Sequence, residues 1–269
     1  MTSPMDHNVD IKSEEVILRW EGSYPWLDMH LPKVTMNKLW DFINNPTQPI
    51  KAVHTPKTKL EVGSKISPFS QSLAGNISNS IYIKDKDNWF YENVLKEWSK
   101  YLFFRDSWID YYEVVVTKSR PPPIFTLKEF WVNYQKQHEF NPPHRHTGMF
   151  SFVVFMKIPT HCKEQHELPL SVNSNSPQAS NFQFLWERIG SSTKFFLSPE
   201  DEGRMLFFPS WLHHEVFPFY ECEEERITLS GNIFTEAYVE PRIEGVLAFE
   251  KDLNKKKKQI EIIKKTTTK

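Results

Sequence analysis

The sequence lacks the features that identify several common classes of protein. It contains only 2 cysteines, Cys162 and Cys222, so a disulfide framework is excluded. Glycine is scarce, with 8 residues among 269, which argues against a glycine-rich phosphate-binding fold. Neither sign of charge dominates, because 33 Lys and Arg balance 34 Asp and Glu. This balance excludes a basic nucleic-acid coat and a polyacidic tail protein.

Long apolar segments are absent as well. The longest run, residues 150–156, is far shorter than the roughly 20 residues that a membrane helix needs. Residues 1–15 show no basic region followed by an apolar stretch, so we expect no signal peptide. We therefore predict a soluble protein of the cytoplasm, with neither a membrane nor a nucleic-acid partner.

Aromatic residues, in contrast, are abundant, at 14% of the chain with 21 Phe and 9 Trp, which is enough for a folded core. From about residue 111, β-branched and aromatic residues form short runs at 113–119, 123–137, 149–159, 181–190, 204–209, 213–219 and 226–234. Many short strands without helical patterns between them are typical of a β-sandwich or jelly roll. The sequence thus predicts a mostly β protein.

Apolar residues at helical spacing predict two helices before these strands. The first covers about residues 35–45, with Leu39, Trp40 and Ile43 on one stripe. The second covers about residues 88–104, with Asp87 as its N-cap.

The chain therefore divides into three predicted zones. An N-terminal α/β segment at 1–115 supports a jelly-roll domain at 116–240, and a basic tail follows at 241–269. The run Lys255–Lys258 in that tail fits a solvated helix end better than a contact with an anionic surface. The polar stretch 161–180 is predicted to be a surface loop or lid.

Histidines carry the strongest chemical signal, since 7 of the 10 lie between positions 138 and 214. His144 and His146 are two residues apart, so on an extended strand both rings leave the same face. Their Cα atoms would be about 6.6 Å apart at roughly 3.3 Å per residue, which suits two ligands of one metal ion. Such a pair alone is weak evidence, because exposed histidine pairs are common.

A later segment supplies a third histidine and a cation. His214 and Arg226 lie equally far from residue 220, so a hairpin there would place them on neighbouring strands. Thr228 would project from the same face as Arg226. Three imidazoles leave positions open on a divalent ion, and a guanidinium with a hydroxyl matches a carboxylate. The pattern thus suits a small dicarboxylate that chelates the metal; the alternative for Arg226 is a surface ion pair with Glu223–Glu225.

Several segments together resemble the 2-oxoglutarate/Fe(II)-dependent oxygenases. They are Trp131–Asn133, Asn141–Gly148, Gly203–Val216 and Arg226–Thr228. The likeness is greatest to the prolyl-hydroxylase-like branch encoded by marine bacteriophages, which Leu73–Phe90 also resembles. The similarity covers roughly Leu73–Asn232, and its motifs are specific in combination rather than singly.

This resemblance implies a double-stranded β-helix, a form of jelly roll, with the N-terminal α-helices packed against it. It assigns His144 and His214 as ligands of Fe(II), and Arg226, assisted by Thr228, to the far carboxylate of 2-oxoglutarate. The implied reaction couples decarboxylation of 2-oxoglutarate to hydroxylation by O₂ of an unidentified peptidyl or small-molecule substrate. If the protein is phage-encoded, it acts in the host cytoplasm.

Strand alternation adds residues to the predicted site. Asn133 shares a face with Trp131 and Gln135, and we predict that Asn133 contacts the co-substrate. An aromatic wall that keeps the site dry is predicted from Phe152, Trp186, Phe207 and Trp211.

One position departs from the family pattern. His146 stands where the usual facial triad has a carboxylate, and we predict it as the third metal ligand. Three histidines also suit zinc, and Glu139 or Glu215 is an alternative source of a carboxylate. A second metal site in the polar segment 161–166 is not expected, because such loops collect histidine and cysteine freely.

Two other functions remain open from the sequence. A jelly roll with a vestigial histidine cluster would be a structural or binding protein, for example a phage component. The missing carboxylate favours that reading, whereas Arg226 and Thr228 oppose it. A cupin-like enzyme with three histidines would use a metal without 2-oxoglutarate. The sequence specifies neither the substrate nor the oligomeric state.

Overall fold

Two antiparallel sheets form the framework of the protein. The computed structural model describes residues 15–21, 24–45, 75–105, 124–186 and 191–235. In chain order the strands are β1 (Glu15–Glu21), β2 (Tyr24–His30), β3 (Asn79–Tyr82), β4 (Phe125–Gln135), β5 (Asn141–His144), β6 (Phe150–Lys157), β7 (Phe182–Trp186), β8 (Ser191–Phe195), β9 (Arg204–Pro209), β10 (His214–Val216) and β11 (Arg226–Thr235). The larger sheet has the order β1-β2-β9-β6-β11-β4-β3, and the smaller has β5-β10-β7-β8. This mostly β arrangement is consistent with the predicted jelly roll.

The larger sheet has two different buried faces, which follow from side-chain alternation. On β6, Phe152 and Val154 belong to one apolar cluster, whereas Val153 and Phe155 belong to another. The first cluster includes residues of the helices. The second includes Phe184 of the smaller sheet, so it fills the space between the two sheets. A strand buried on both faces reads as the continuous apolar run seen at 150–156.

The predicted N-terminal helix is present as α1 (Lys33–Asn44). Leu39 and Ile43 are buried and Trp40 packs against the same cluster, as the helical stripe predicts. Strands β1 and β2 precede α1 in the chain and β3 follows it, and all three belong to the seven-stranded sheet. The N-terminal segment is therefore built into the larger sheet.

A second helical segment includes a π-helical turn at Tyr91–Leu95 and α2 (Lys96–Arg105). The prediction of Asp87 as its N-cap is wrong, because Asp87 has φ of 57° within a preceding 3-10 turn. Asp85 performs this role instead. Its two carboxylate oxygens accept hydrogen bonds from the backbone N–H groups of Phe90 and Tyr91, each at 2.8 Å.

The polar segment at 161–180 is partly helical, since α3 (Cys162–Glu167) begins it. Gln165 is buried, and its side chain exchanges two hydrogen bonds of 2.8 Å with the backbone of Tyr220. Nε2 of His166 lies 3.1 Å from the carbonyl oxygen of Ala179. The Gln165 contacts hold the start of the segment against the connection between β10 and β11, and the His166 contact joins the start of the segment to its end.

Some predictions fall outside the described residues. These are the strand at 113–119, the basic tail at 241–269, and both domain boundaries, near 115 and 240. Within the part of the chain that the structure describes, no helix has the length and apolar character needed to cross a membrane.

Gly231, in the middle of β11, tests the packing of the larger sheet. A Cβ there would lie 2.6 Å from the carbonyl oxygen of Glu129 and 2.7 Å from the ring of Phe152. We expect Gly231→Ala to lower the free energy of unfolding by about 1–3 kcal/mol, because the sheet must shift to admit the methyl group. Urea denaturation measures this change. Ser230→Ala, one residue earlier, is the control and should cost less; equal losses would contradict the packing account.

Candidate functional site

Three histidine rings meet in the space between the two sheets. The ring centroids of His144 and His214 are 4.3 Å apart, and His146 lies 5.1 Å and 5.0 Å from them. One ligand nitrogen from each ring lies within 4.8 Å of the other two. Among the described residues, this is the one group of three or more His, Cys, Asp or Glu side chains arranged to hold a metal ion.

The smaller sheet brings two of these histidines together. His144 at the end of β5 is the direct cross-strand partner of His214 at the start of β10. His146 lies beyond the end of β5, so the expectation that it shares one strand with His144 is wrong. A backbone hydrogen bond of 2.8 Å from His146 N–H to the carbonyl of Ser210 fixes its position instead. The strand thus ends at His144, yet the side chain of His146 still lies beside His144 and His214.

Backbone carbonyls orient two of the three rings. Nδ1 of His144 lies 2.7 Å from the carbonyl oxygen of Pro142, and Nδ1 of His214 lies 3.0 Å from that of Leu212. A carbonyl only accepts, so each Nδ1 carries the proton. Each Nε2 is then left with a lone pair for a metal ion.

The site keeps these histidines uncharged. Burial lowers the pKa of His144, and burial followed by the charge of His144 lowers the pKa of His146 to about 3. Burial lowers the pKa of His214 well below its ordinary value, and both neighbouring histidines add to the effect. Neutral imidazole is the form that binds metals, so the rings need lose no proton when an ion arrives.

Arg226 is a buried cation, with 1% of its surface exposed. Its Nη2 donates to the carbonyl oxygen of Ser180 at 2.9 Å and also to the Ser180 hydroxyl, and Nη1 donates to the side chain of Gln135 at 3.4 Å. The guanidinium lies over the ring of Phe219, 5.2 Å from its centroid. Nε has no hydrogen-bond partner. Burial lowers the pKa of Arg226 to about 10, so it remains charged at neutral pH.

No carboxylate among the described residues forms an ion pair with Arg226. The expected alternative, a surface pair with Glu223–Glu225, is therefore wrong, because the guanidinium is buried. A buried charge without a counter-ion is costly, and a buried donor without an acceptor adds to that cost. Both features are typical of a binding site for an anion.

His214 and Arg226 meet by a different route from the predicted hairpin. β10 pairs with β5 and β7 in the smaller sheet, whereas β11 pairs with β4 and β6 in the larger sheet. The two residues therefore face each other across the cavity rather than along one hairpin. The hairpin prediction is wrong, although the two side chains line the same cavity.

The larger sheet contributes a row of polar side chains to this cavity. Thr228 shares the cavity-facing side of β11 with Arg226, and Asn133 lies directly opposite Thr228 on β4. Nδ2 of Asn133 donates to Oγ1 of Thr228 at 3.3 Å, and its Oδ1 accepts from Ser80 at 2.7 Å. The predicted alternation of Trp131, Asn133 and Gln135 towards one side is confirmed.

Ser180 is a site residue that the sequence reasoning missed. It is fully buried and has φ of 67°, and it belongs to no recognisable sequence motif. The only available signal was its place at the end of the polar segment 161–180. Gln135 was predicted to share the cavity face, but its contact with Arg226 depends on pairing between β4 and β11 that the sequence does not specify.

No acidic side chain among the described residues lines the cavity. Its lining consists of Ile77, Trp131, Asn133, Gln135, Asn141, His144, His146, Phe152, Val153, Phe155, Phe182, Phe208, His214, Val216, Arg226, Thr228 and Ser230. Glu139 accepts hydrogen bonds from the backbone of Ser78 and Lys136, and Glu215 accepts one from Gln183. Neither glutamate joins the histidine group, so neither replaces the missing carboxylate.

Two further expectations can be compared with this lining. Of the predicted aromatic wall, only Phe152 borders the cavity, and the prediction is wrong for Trp186, Phe207 and Trp211. Phe207 belongs to the apolar cluster on the helix side of the larger sheet and does not reach the cavity. The rings that enclose the histidines are Trp131, Phe155, Phe182 and Phe208.

Comparison with known proteins gives a family match and distant similarities to solved structures, two of which are described here. Residues 129–232 match the family described as "Putative 2OG-Fe(II) oxygenase". An oxidoreductase of the 2OG-Fe(II) oxygenase family from Burkholderia pseudomallei is 13% identical, with a TM-score of 0.29, over 51% of this chain and 57% of that chain. A prolyl-4-hydroxylase from Pseudomonas putida is 12% identical, with a TM-score of 0.39, over 80% of this chain and 94% of that chain. No curated protein is significantly similar to the chain.

The matched range contains every residue predicted for the site, from Asn133 to Thr228. The chain spans little more than half the length of the Burkholderia protein. Both TM-scores are below 0.5, so a functional conclusion depends on the family match and on the geometry of the site. None of these similarities concerns bacteriophages, and that part of the resemblance stays a prediction.

The histidine group fits the metal that the family implies. Imidazole nitrogens are good ligands for Fe(II), and metal–nitrogen bonds of about 2.0–2.1 Å place two such nitrogens at most about 4.2 Å apart. Because the ligand nitrogens lie within 4.8 Å, small ring movements suffice. Three imidazoles leave further coordination positions open on the cavity side.

The buried histidines make the stability of the metal-free protein depend on pH. In the unfolded chain each titrates near about 6.5, whereas in the folded chain the pKa of His146 is about 3. The unfolded state therefore binds more protons between these values. We expect the free energy of unfolding to fall below about pH 6.5, by up to about 1.4 kcal/mol per pH unit for each histidine that stays neutral.

Urea denaturation of metal-free protein between about pH 7.5 and 5.5 measures this slope. His146→Asn removes one of the titrating groups without adding charge, so its slope should be smaller than that of the wild type. Identical slopes would show that His146 is not buried in its neutral form.

Proposed function

We propose that the protein is an Fe(II)- and 2-oxoglutarate-dependent dioxygenase that hydroxylates its substrate. One observation supports this more than any other: Arg226 is a buried cation with no counter-ion among the described residues, in the same cavity as three histidines with metal-ligand spacing. A metal site alone would not need that cation. A dicarboxylate such as 2-oxoglutarate uses both, with its keto acid end at the metal and its far carboxylate at Arg226.

His144, His146 and His214 would hold the metal ion, which when bound supplies the activation of O₂ that oxygenases require. The chain's own contribution is to fix the ligands and to keep water away. The carbonyls of Pro142 and Leu212 orient two of the rings. The surrounding aromatic side chains restrict the access of solvent.

Arg226 would bind the far carboxylate, and its free Nε–H is the donor that now lacks an acceptor. Thr228 adds a hydroxyl, since its oxygen already accepts from Asn133 and its proton remains available. Asn133 thereby orients Thr228 rather than acting alone. Binding at two ends fixes the orientation of the co-substrate before reaction.

Several finer expectations accompany this proposal. The double-stranded β-helix, the bacteriophage prolyl-hydroxylase-like branch, the three-zone domain division and the cytoplasmic location all rest on the sequence. The substrate remains either peptidyl or a small molecule, because no described contact identifies it.

Removal of either half of the site tests the proposal. We expect His144→Ala to abolish Fe(II) binding, and Arg226→Met to leave Fe(II) binding intact while weakening 2-oxoglutarate by at least about 100-fold. A hydrogen bond to a charged group contributes about 1.5–3 kcal/mol, and the carboxylate would lose more than one. Calorimetric titration under anaerobic conditions, and succinate formation with candidate substrates, measure the two effects.

The outcomes separate the rival functions. No binding of Fe(II) by the wild type would favour a structural or binding jelly roll. Iron-dependent activity that survives Arg226→Met would favour a three-histidine enzyme that does not use 2-oxoglutarate.

The hydroxyl of Thr228 allows a milder test. Thr228→Val keeps the shape of the side chain and removes the hydroxyl, so we expect 2-oxoglutarate to bind about tenfold more weakly or worse. Fe(II) affinity should be unchanged, because Thr228 lies on the opposite sheet from His144 and His214. An unchanged affinity for 2-oxoglutarate would place the far carboxylate elsewhere.

A further inference from the structure

We propose that the cavity, once it holds Fe(II) and 2-oxoglutarate, binds one additional anion beside the metal. This inference rests on the proposed function and extends it to the charge of the remaining ligand. It follows from the chemical nature of the lining residues. They supply no negative charge to balance the metal.

The charge balance of the loaded cavity is incomplete. The ferrous ion contributes two positive charges and Arg226 contributes one, while dianionic 2-oxoglutarate cancels two. The histidine ligands are neutral when bound, and the lining has no Asp or Glu from the part of the chain that the structure describes. One positive charge therefore remains. With a carboxylate in the position of His146, as in the usual facial triad, the balance would be zero.

The surroundings make this residual charge costly. His214 is buried among the rings of Phe182 and Phe208, 5.6 Å and 5.0 Å away by centroid. His146 lies against Trp131, 5.7 Å away. Because these apolar rings beside the histidines cannot screen a charge on the metal, an anion gains more from entering here than it would at an exposed site.

The nearby glutamates do not provide this charge. Both carboxylate oxygens of Glu139 accept backbone N–H groups, and Glu215 is engaged by Gln183. Since no other carboxylate among the described residues borders the cavity, we expect the counter-ion of the loaded site to come from solution. Its chemistry is that of a compact anion, either the carboxylate of the substrate itself or a free small anion.

Wild-type protein tests the inference without any substitution. Anaerobic protein saturated with Fe(II) and 2-oxoglutarate is titrated with acetate and, separately, with acetamide, which has nearly the same shape and no charge. Calorimetry and the visible absorption of the iron complex record binding. We expect acetate to bind at least tenfold more tightly than acetamide; equal or undetectable binding of the two would overturn the inference.

A matched pair of variants then locates the charge requirement. His146→Asp restores a negative ligand, and His146→Asn has nearly the same size without the charge. At saturating Fe(II), we expect the Asp variant to lose acetate affinity by at least tenfold relative to the Asn variant. Equal acetate affinities in the two variants would contradict the charge argument.

Two features of the design distinguish the possible failures and sources. If 2-oxoglutarate does not bind in the first titration, the proposed function itself fails; if it binds and acetate does not, only the further inference fails. Chloride is titrated in parallel. A preference for acetate over chloride would indicate a substrate carboxylate, and a preference for chloride would indicate a free anion, and both support the additional anion.

Discussion

The buried guanidinium of Arg226 is the constraint on which the rest of the site depends. A charge that is taken out of water without a counter-ion persists only when the surrounding fold holds it firmly and supplies other partners. Here Ser180, Gln135 and the ring of Phe219 do so, and they come from three different parts of the chain. A purely structural jelly roll gains nothing from such an arrangement. The local cost is characteristic of a binding site that has evolved for a charged ligand.

The site exists because two sheets face each other. β5 and β10 carry His144 and His214, and His146 follows β5, while β4 and β11 carry the polar row that surrounds Arg226. Neither sheet alone contains both the histidine group and Arg226. The relative placement of the two sheets therefore sets the distance between the histidine group and Arg226. The apolar cluster of Phe155, Phe184 and Leu206 fills the space beside the cavity and maintains that distance.

Much of the fold could be predicted from the sequence, because periodicity reports burial directly. The mostly apolar run of β6 and the stripe of α1 both follow from the faces they bury. Pairing between distant strands was less accessible. The midpoint argument placed Arg226 beside His214 in one hairpin, whereas their strands belong to different sheets. Local symmetry in a sequence cannot report such long-range pairing.

The candidate site shows the same contrast between features that are local in the sequence and features that depend on long-range contacts. His144, His146, His214, Arg226 and Thr228 were accessible because their residue types are chemically distinctive. Ser180 was not, because its role depends on an unusual backbone conformation and on a long-range contact. The aromatic wall was mostly wrong for a related reason. Many phenylalanines occur in this chain, and their residue type alone does not indicate which of them reach the cavity.

The attachment of Ser180 to Arg226 limits how freely the segment 161–180 can be exchanged. Surface loops of this kind are natural targets for altering the specificity of an enzyme, because they tolerate changes in length and composition. In this protein, the end of the loop is also part of the wall behind the guanidinium, and His166 holds it in place. A loop transplanted from a relative would have to preserve the stretch from Ala179 to Asn181. A change in the loop that alters substrate specificity can therefore also disturb the position of Arg226.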